Sequence, residues 1–279
     1  MKKHCTAIVL AGGKGTRMGA DVPKQYLSLA GRPLIWYSLQ AVEQSNILDD
    51  CILVTAREDM ELMRTKVLEK YGFRKVLAMA PGGAERYESV LSGLRMLEEL
   101  QSGCDAGLGR TDYVFIQDGA RPFLTEEILR RNYETALECG TAVTAVRAKD
   151  TVKIADERGF VVQTPDRNRV WNMQTPQTFR FAEIREAYEK MMVRVQEERC
   201  AGRTLPITDD AQVMELFGDL PVRLAEGSYD NFKVTTPEDL RLAESMLAGD
   251  GSRISNLNET VTENEKTMKA FSKIVEAKM

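Results

Sequence analysis

Apolar and polar positions follow two alternating periods along the first half of the chain. Thr6-Ala7-Ile8-Val9-Leu10 is a short, nearly continuous apolar run, as expected of a strand covered on both faces. Beyond a glycine-rich stretch, Pro33 stands where a first helical residue would, and Leu34-Ile35-Trp36-Tyr37-Ser38-Leu39 opens a helix. Cys51 to Thr55 predicts the next strand and Asp59 to Tyr71 the next helix, closed by Gly72. Lys75 to Ala80 is a third strand, and Glu85 to Leu100 a long helix with Val90, Leu91, Leu94 and Leu97 on one stripe. Tyr113 to Ile116 and Thr125 to Glu138 repeat the strand–helix pair. This alternation predicts a doubly wound α/β fold with a mostly parallel sheet, because parallel neighbours need a crossover between them.

The rhythm breaks after Gly140. Thr141 to Val146, Val152 to Ala155, Phe160 to Val162 and Arg169 to Met173 read as short strands with no helices between them, so an antiparallel β-arm is expected over about 141–173. Helices return near Phe181 to Glu197 and Asp209 to Leu216, with strands around Val222 to Ala225 and Asn231 to Val234. Pro237-Glu238-Asp239-Leu240 opens a last helix, its acidic residues placed where the helix dipole favours them. From about Gly249 the chain is polar and carries no strand signal. The expected organisation is one domain over 1–248 and a polar extension over 249–279, in which Met268 to Val275 could form a short helix.

Composition narrows the chemistry. With 279 residues, 43% of them hydrophobic and 29% charged, the chain can bury a core. A net charge of −4 argues against nucleic acid as a partner while leaving room for a local basic pocket. His4 is the single histidine, which excludes a multi-histidine metal site and disfavours a triad. The five cysteines (Cys5, Cys51, Cys104, Cys139 and Cys200) have no C-x-x-C spacing, so reduced thiols in the cytoplasm are expected. The apolar run after Lys2-Lys3-His4 stops at Gly12-Gly13, too short for a secretory signal, and no stretch reaches the ~20 apolar residues of a membrane helix. A soluble protein without membrane contact is the expectation.

The chemistry concentrates in the first loop, Ala11-Gly12-Gly13-Lys14-Gly15-Thr16-Arg17-Met18-Gly19. Small residues after a buried strand let the backbone approach an anion closely. The dinucleotide fingerprint fails at Met18, and the Walker spacing fails as well. A glycine loop alone is equally well a tight structural turn, and a lone lysine or arginine is ordinarily a solvated charge. Arg17 and Lys24 together on one such loop, at the carboxyl end of a first strand, point instead to an anionic ligand.

Leu10-Ala11-Gly12-Gly13-x-Gly15-x-Arg17-Met18 followed by Pro23-Lys24-Gln25 resembles the signature loop of nucleotidyltransferases, and specifically of the polyol-phosphate cytidylyltransferase family. Gly82-Gly83-Ala84-Glu85-Arg86-x-x-Ser89-Val90, Asp118-Gly119-Ala120-Arg121-Pro122 and Lys149-Asp150-Thr151-x-Lys153 follow in the family's order. So do Asp166-Arg167-Asn168, Gln174-Thr175-Pro176-Gln177, Thr208-Asp209-Asp210-Ala211 and Asp230-Asn231-x-Lys233-Val234-Thr235-x-Pro237-Glu238-Asp239-Leu240. Within that family the branch acting on 2-C-methyl-D-erythritol 4-phosphate is most similar; a branch acting on ribitol 5-phosphate is the rival, and a binding module without catalysis the alternative of another class.

The resemblance implies a Rossmann-like nucleotidyltransferase fold and a reaction of CTP with a polyol phosphate that releases pyrophosphate, with Mg²⁺ as cofactor. It implies that Arg17, Lys24 and Lys233 stabilise charge at the phosphates. Ala11, Gly12, Gly13, Gly83, Ala84, Ser89 and Asp118 would hold the nucleotide, chiefly through backbone groups. Thr151, Arg167 and Thr175 would grip the polyol phosphate, and Asp118 and Asp230 would lie near the metal. The rival roles are a helix or turn cap for Asp118, a helix cap or packing residue for Ser89, and a mere partner of Lys233 for Asp230. In the family the β-arm is exchanged between two subunits, which implies a homodimer. The chain departs from the family pattern at Gly12 (alanine is frequent), Thr16 (a basic residue is common) and Ala84 (often aspartate).

Overall fold

The computed structural model describes residues 2–13, 23–103 and 110–249. The chain begins with β1 (Cys5–Leu10), then a short hairpin of β2 (Ser28–Leu29) and β3 (Arg32–Pro33), and α1 (Leu34–Gln44). Next come β4 (Asp50–Thr55), α2 (Met60–Met63) running on into a π-helical stretch over Arg64–Glu69, β5 (Val76–Pro81) and α3 (Arg86–Ser102). The middle of the chain supplies β6 (Tyr113–Asp118), α4 (Glu126–Cys139), β7 (Thr141–Arg147), β8 (Ile154–Ala155), β9 (Val161–Gln163) and β10 (Trp171–Arg180). It closes with α5 (Phe181–Cys200), α6 (Asp210–Phe217), β11 (Leu224–Glu226) and α7 (Pro237–Gly249).

Seven strands form one sheet in the order β11-β7-β10-β6-β1-β4-β5. All neighbours run parallel except β10, which lies antiparallel between β6 and β7. The expected doubly wound α/β architecture is therefore present. Along β1, Ala7 and Val9 face one core with α1, α4 and α7, while Ile8 faces the other with α3, α5 and α6. Both faces are thus sealed, which is why the strand reads as an apolar run rather than an alternating one.

Three local expectations change. Pro33 ends β3 and caps α1 from outside with an extended ψ of 143°, because its pairing with Ser28 holds it one residue short of the helix. Asn231 to Val234 is not a strand. The arm is shorter than 141–173, since β7 and most of β10 are laid into the main sheet. Only the segment between them projects, carrying the two-stranded sheet of β8 and β9. Its apolar residues Ile154, Phe160, Val161 and Val162 are exposed. Among the described residues no helix is long and apolar enough to cross a membrane, and the described cysteines are free thiols. Residues 250–279 and Cys104 lie outside the described residues.

Candidate active site

The winding of the chain creates the cleft. From β1 it proceeds outward to β4 and β5, then crosses back to place β6 on the other side of β1. The connections diverge there, leaving a crevice at the carboxyl ends of β1 and β6, the place where open α/β sheets take ligands. The crevice holds a cavity of about 220 Å³ that opens to solvent. Its walls are Leu10 to Gly13 after β1, Lys24 and Gln25, Gly83 to Arg86 with Ser89, Asp118 to Ala120 after β6, and Lys233.

Close packing shapes these walls. The Gly119 N–H donates to the Leu10 carbonyl at 2.9 Å, drawing the two strand ends together. A Cβ at Gly119 would lie 2.4 Å from Ile35 Cδ1 and 2.8 Å from the Leu10 oxygen, so only glycine fits. Gly83 is likewise excluded from carrying a side chain by Glu88, whose Cβ would be 2.3 Å away. Lys24 sits on a single 3₁₀ turn, Lys24–Tyr26. The buried Gln25 anchors that turn by donating to Asp59 Oδ2 at 3.1 Å.

Asp118 is the electrostatic centre. Its buried carboxylate is met by Lys233 Nζ at 2.9 Å and Arg121 Nε at 3.6 Å on Oδ2, and by Arg86 Nε at 3.6 Å on Oδ1. Burial alone would raise its pKa, yet the charges of Arg86, Lys233 and Arg121 outweigh that and hold it well below the usual carboxylate range. The cluster therefore favours the carboxylate form of Asp118. Thr175 Oγ1 fixes its backbone by accepting the Asp118 N–H at 3.0 Å.

Of the residues expected at the site, Ala11, Gly12, Gly13, Lys24, Gly83, Ala84, Ser89, Asp118 and Lys233 all line this one cleft. Thr175 does not; it is buried behind Asp118 as a support. Thr151, Arg167 and Asp230 are exposed and also lie outside the lining. Arg167 donates to the Lys149 carbonyl at 3.3 Å at the base of the arm. Arg17 lies outside the described residues. The N–H groups of Gly83 and Ala84 are engaged by Ser89 Oγ at 3.0 Å and Glu88 Oε2 at 2.9 Å. What these residues can offer a nucleotide is thus carbonyl oxygen; Ser89 ties the Gly83 turn from inside α3, and the helix itself is capped by Glu85 and Glu88 rather than by Ser89. Two cations were not assigned a role from sequence: Arg86 and the buried Arg121, which donates to the Asn231 carbonyl at 2.7 Å. Their motifs were visible, but nothing in the linear sequence told which carboxylate each would meet.

A family model described as 2-C-methyl-D-erythritol 4-phosphate cytidylyltransferase matches residues 5–249. The chain belongs to this family. The cytidylyltransferase of Lachnospira eligens is 41% identical over 244 residues, covering 88% of this chain and 99% of the relative. That of Geobacter metallireducens is 42% identical over 241 residues, covering 86% of this chain and 96% of the relative. The crystal structure of 4-diphosphocytidyl-2C-methyl-D-erythritol synthase from Anaerococcus prevotii superposes with a TM-score of 0.71 at 30% identity, covering 89% of this chain and all of that one.

The chain's departure at Gly12 is sterically mild for a cytidylyltransferase. A Cβ there would meet only ordinary contacts, the nearest being Ala56 N at 3.7 Å, so the alanine frequent in the family would fit the same backbone. Among the described residues no group of three or more histidine, cysteine or carboxylate side chains is placed to hold a metal ion. Asp118 and Glu85 are the cleft's carboxylates. Because Asp118 already has three cations beside it, this donor set fits a magnesium ion brought in and mostly coordinated by a triphosphate, rather than a resident one.

Proposed function

We propose that this cytidylyltransferase joins CTP to 2-C-methyl-D-erythritol 4-phosphate, giving 4-diphosphocytidyl-2-C-methyl-D-erythritol and pyrophosphate, a step of isoprenoid biosynthesis. The observation that carries the reading is the gathering of Lys24, Lys233 and the Asp118 ion cluster around a glycine-walled cleft at the sheet's switch point. Attack of a substrate phosphate oxygen on the α-phosphorus builds negative charge at a five-coordinate centre. That chemistry needs alignment and fixed cations, not a histidine or a covalent nucleophile.

Lys24 and Lys233, with Arg17 from the same loop as Lys24, are assigned to the phosphates and the charge that develops on them. The carbonyls of the 83–84 turn suit the exocyclic amine of cytosine, a donor that uracil lacks, with Ala11, Gly12, Gly13 and Ser89 completing the nucleoside wall. Mg²⁺ bound by the triphosphate, with Asp118 as its protein carboxylate, would neutralise charge on the departing pyrophosphate. Thr151 and Arg167 are assigned to the polyol phosphate of a second copy's site, and the functional unit to a homodimer through the arm. What supports this is that both residues lie on or beside a projecting segment whose apolar side chains face solvent in the single chain. Thr175 is assigned to the polyol-phosphate subsite of its own chain, through its hold on Asp118. Reduced thiols and the metabolic role suit the cytoplasm.

Pyrophosphate release with CTP and a panel of polyol phosphates, with and without Mg²⁺, tests the assignment. The methylerythritol phosphate should turn over fastest and only with the metal present. Faster formation of CDP-ribitol would overturn the choice of acceptor.

A further inference from the structure

Two of the sequence motifs, Gln174-Thr175-Pro176-Gln177 and Thr208-Asp209-Asp210-Ala211, meet behind the cleft. Gln177 of β10 is buried and clasps the start of α6 from both ends of its amide. Its Nε2 donates to Asp209 Oδ2 at 3.0 Å, and its Oε1 accepts the Ala211 N–H at 2.8 Å. Asp209 in turn caps the helix by accepting the Gln212 N–H at 2.9 Å. This clasp sets the position of Asp210, which is fully buried at the first turn of α6. The Asp210 carboxylate takes both terminal nitrogens of Arg86, at 2.8 and 2.7 Å, and the Tyr188 hydroxyl at 2.5 Å.

The geometry points to Asp210 as a positioning residue for the transfer: by occupying the Arg86 fork it leaves only the Nε edge for Asp118, and so keeps the second Asp118 oxygen open to Lys233, with Arg121 Nε farther off on the same oxygen. Arg86 lines the cleft, yet both Nη groups are committed 124 residues away in sequence. It is therefore not available as a phosphate fork. Asp118 Oδ1 faces the Arg86 Nε at 3.6 Å, whereas Oδ2 receives Lys233 at 2.9 Å. Without the negative charge at 210, an arginine fork beside a lone carboxylate closes on it in two-point fashion, the geometry that this pair of groups favours. Lys233 would then lose its partner and its place. The inference rests on the reading of Asp118 and Lys233 as members of the active site.

The test compares Asp210→Asn, Arg86→Lys and Asp118→Asn in the full-length enzyme, with thermal melting to show which are folded. Lys233 is one-third exposed, so acetylation of its amine, mapped by mass spectrometry, reports how far pairing with Asp118 shields it. Asp118→Asn should raise Lys233 acetylation at least threefold. Asp210→Asn should raise it to a similar level and lower kcat at least tenfold, with KM for CTP changed less than threefold. Arg86→Lys keeps the charge beside Asp210 but has no fork to close on Asp118, and should leave Lys233 acetylation within twofold of wild type. A folded Asp210→Asn enzyme with wild-type Lys233 acetylation, or an Arg86→Lys enzyme whose Lys233 acetylation rises as far as in Asp210→Asn, overturns the inference. Unchanged acetylation in Asp118→Asn would instead overturn the active-site reading on which it stands.

Discussion

Charged clusters sit at both poles of the sheet, and they are built differently. At the entry ends of β1, β4 and β6, carboxylates bind the backbone. Asp49 accepts the Cys5 N–H at 2.8 Å, and Asp112 accepts the His4 N–H at 3.0 Å. Lys2, Lys3 and His4 pair with Asp49, Asp112 and Asp50 around them. At the exit ends, Asp118 is met among the described residues by side-chain cations from three separate stretches. A carboxylate fixed to main chain ties strand to strand, and a ligand has nothing to exchange with it. One met by a lysine that is one-third exposed can release that partner when an anion arrives. Location therefore does not separate the structural cluster from the chemical one; what each carboxylate is bonded to does.

The largest effect is expected where the exit pole is deprived of a cation without loss of fold. Lys24→Ala should lower kcat by about 10²–10³, the scale found when one stabilising group is removed from a transition state. CTP affinity should fall less than tenfold and the melting temperature should hold, since Lys24 stands on a turn that the buried Gln25 anchors. Steady-state kinetics beside equilibrium nucleotide binding make the comparison. Equal losses in binding and turnover would recast the cleft as a binding module.

The same contrast explains what could be read in advance. β1, β4 and β6 begin within four residues of the chain's charged entry cluster and are apolar on both faces, so the pattern alone located them. β10 runs on to Arg180 through Gln174, Thr175, Gln177 and Thr178, all buried yet polar. Their burial is balanced by partners elsewhere in the chain, such as the Asp118 N–H for Thr175, which a hydropathy pattern cannot show. The segment from Asn231 to Val234 failed as a strand for a related reason. It is held by the Asn231 amide on the Thr175 carbonyl at 2.9 Å, by Arg121 on the Asn231 carbonyl, and by one Val234 N–H to Ala120. At the site, Lys24, Asp118 and Lys233 were legible because each lies in a motif with its own chemistry. The Arg86–Asp210 pair was not, because a fork and its carboxylate so distant in sequence leave no spacing to recognise.

The entry pole should respond in stability rather than rate. Lys75 Nζ closes the end of α1 by donating to the carbonyls of Val42, Ser45 and Leu48 at 3.2, 2.5 and 2.6 Å. The Val42 and Ser45 carbonyls are helix-end acceptors that a cation complements, and Leu48 lies in the loop that follows. Lys75→Met should cost about 1–3 kcal/mol in denaturant unfolding, the scale of charge-assisted hydrogen bonds left unmade, with kcat unchanged at temperatures where the enzyme is folded.

His4 provides the smallest test and the sharpest contrast with Lys24. Its Nε2 lies 2.7 Å from Asp50 Oδ2, and its ring is only about one-quarter exposed. The Asp50 carboxylate is buried, so the contact satisfies an oxygen that would otherwise lack a partner at the mouth of β4. His4→Gln keeps a donor of similar reach and should cost about 1 kcal/mol or less, while kcat and KM stay at wild-type values. A tenfold loss of turnover in His4→Gln, with the fold intact, would mean that the two poles are coupled through β1 and that the chain's one imidazole belongs to the chemistry after all.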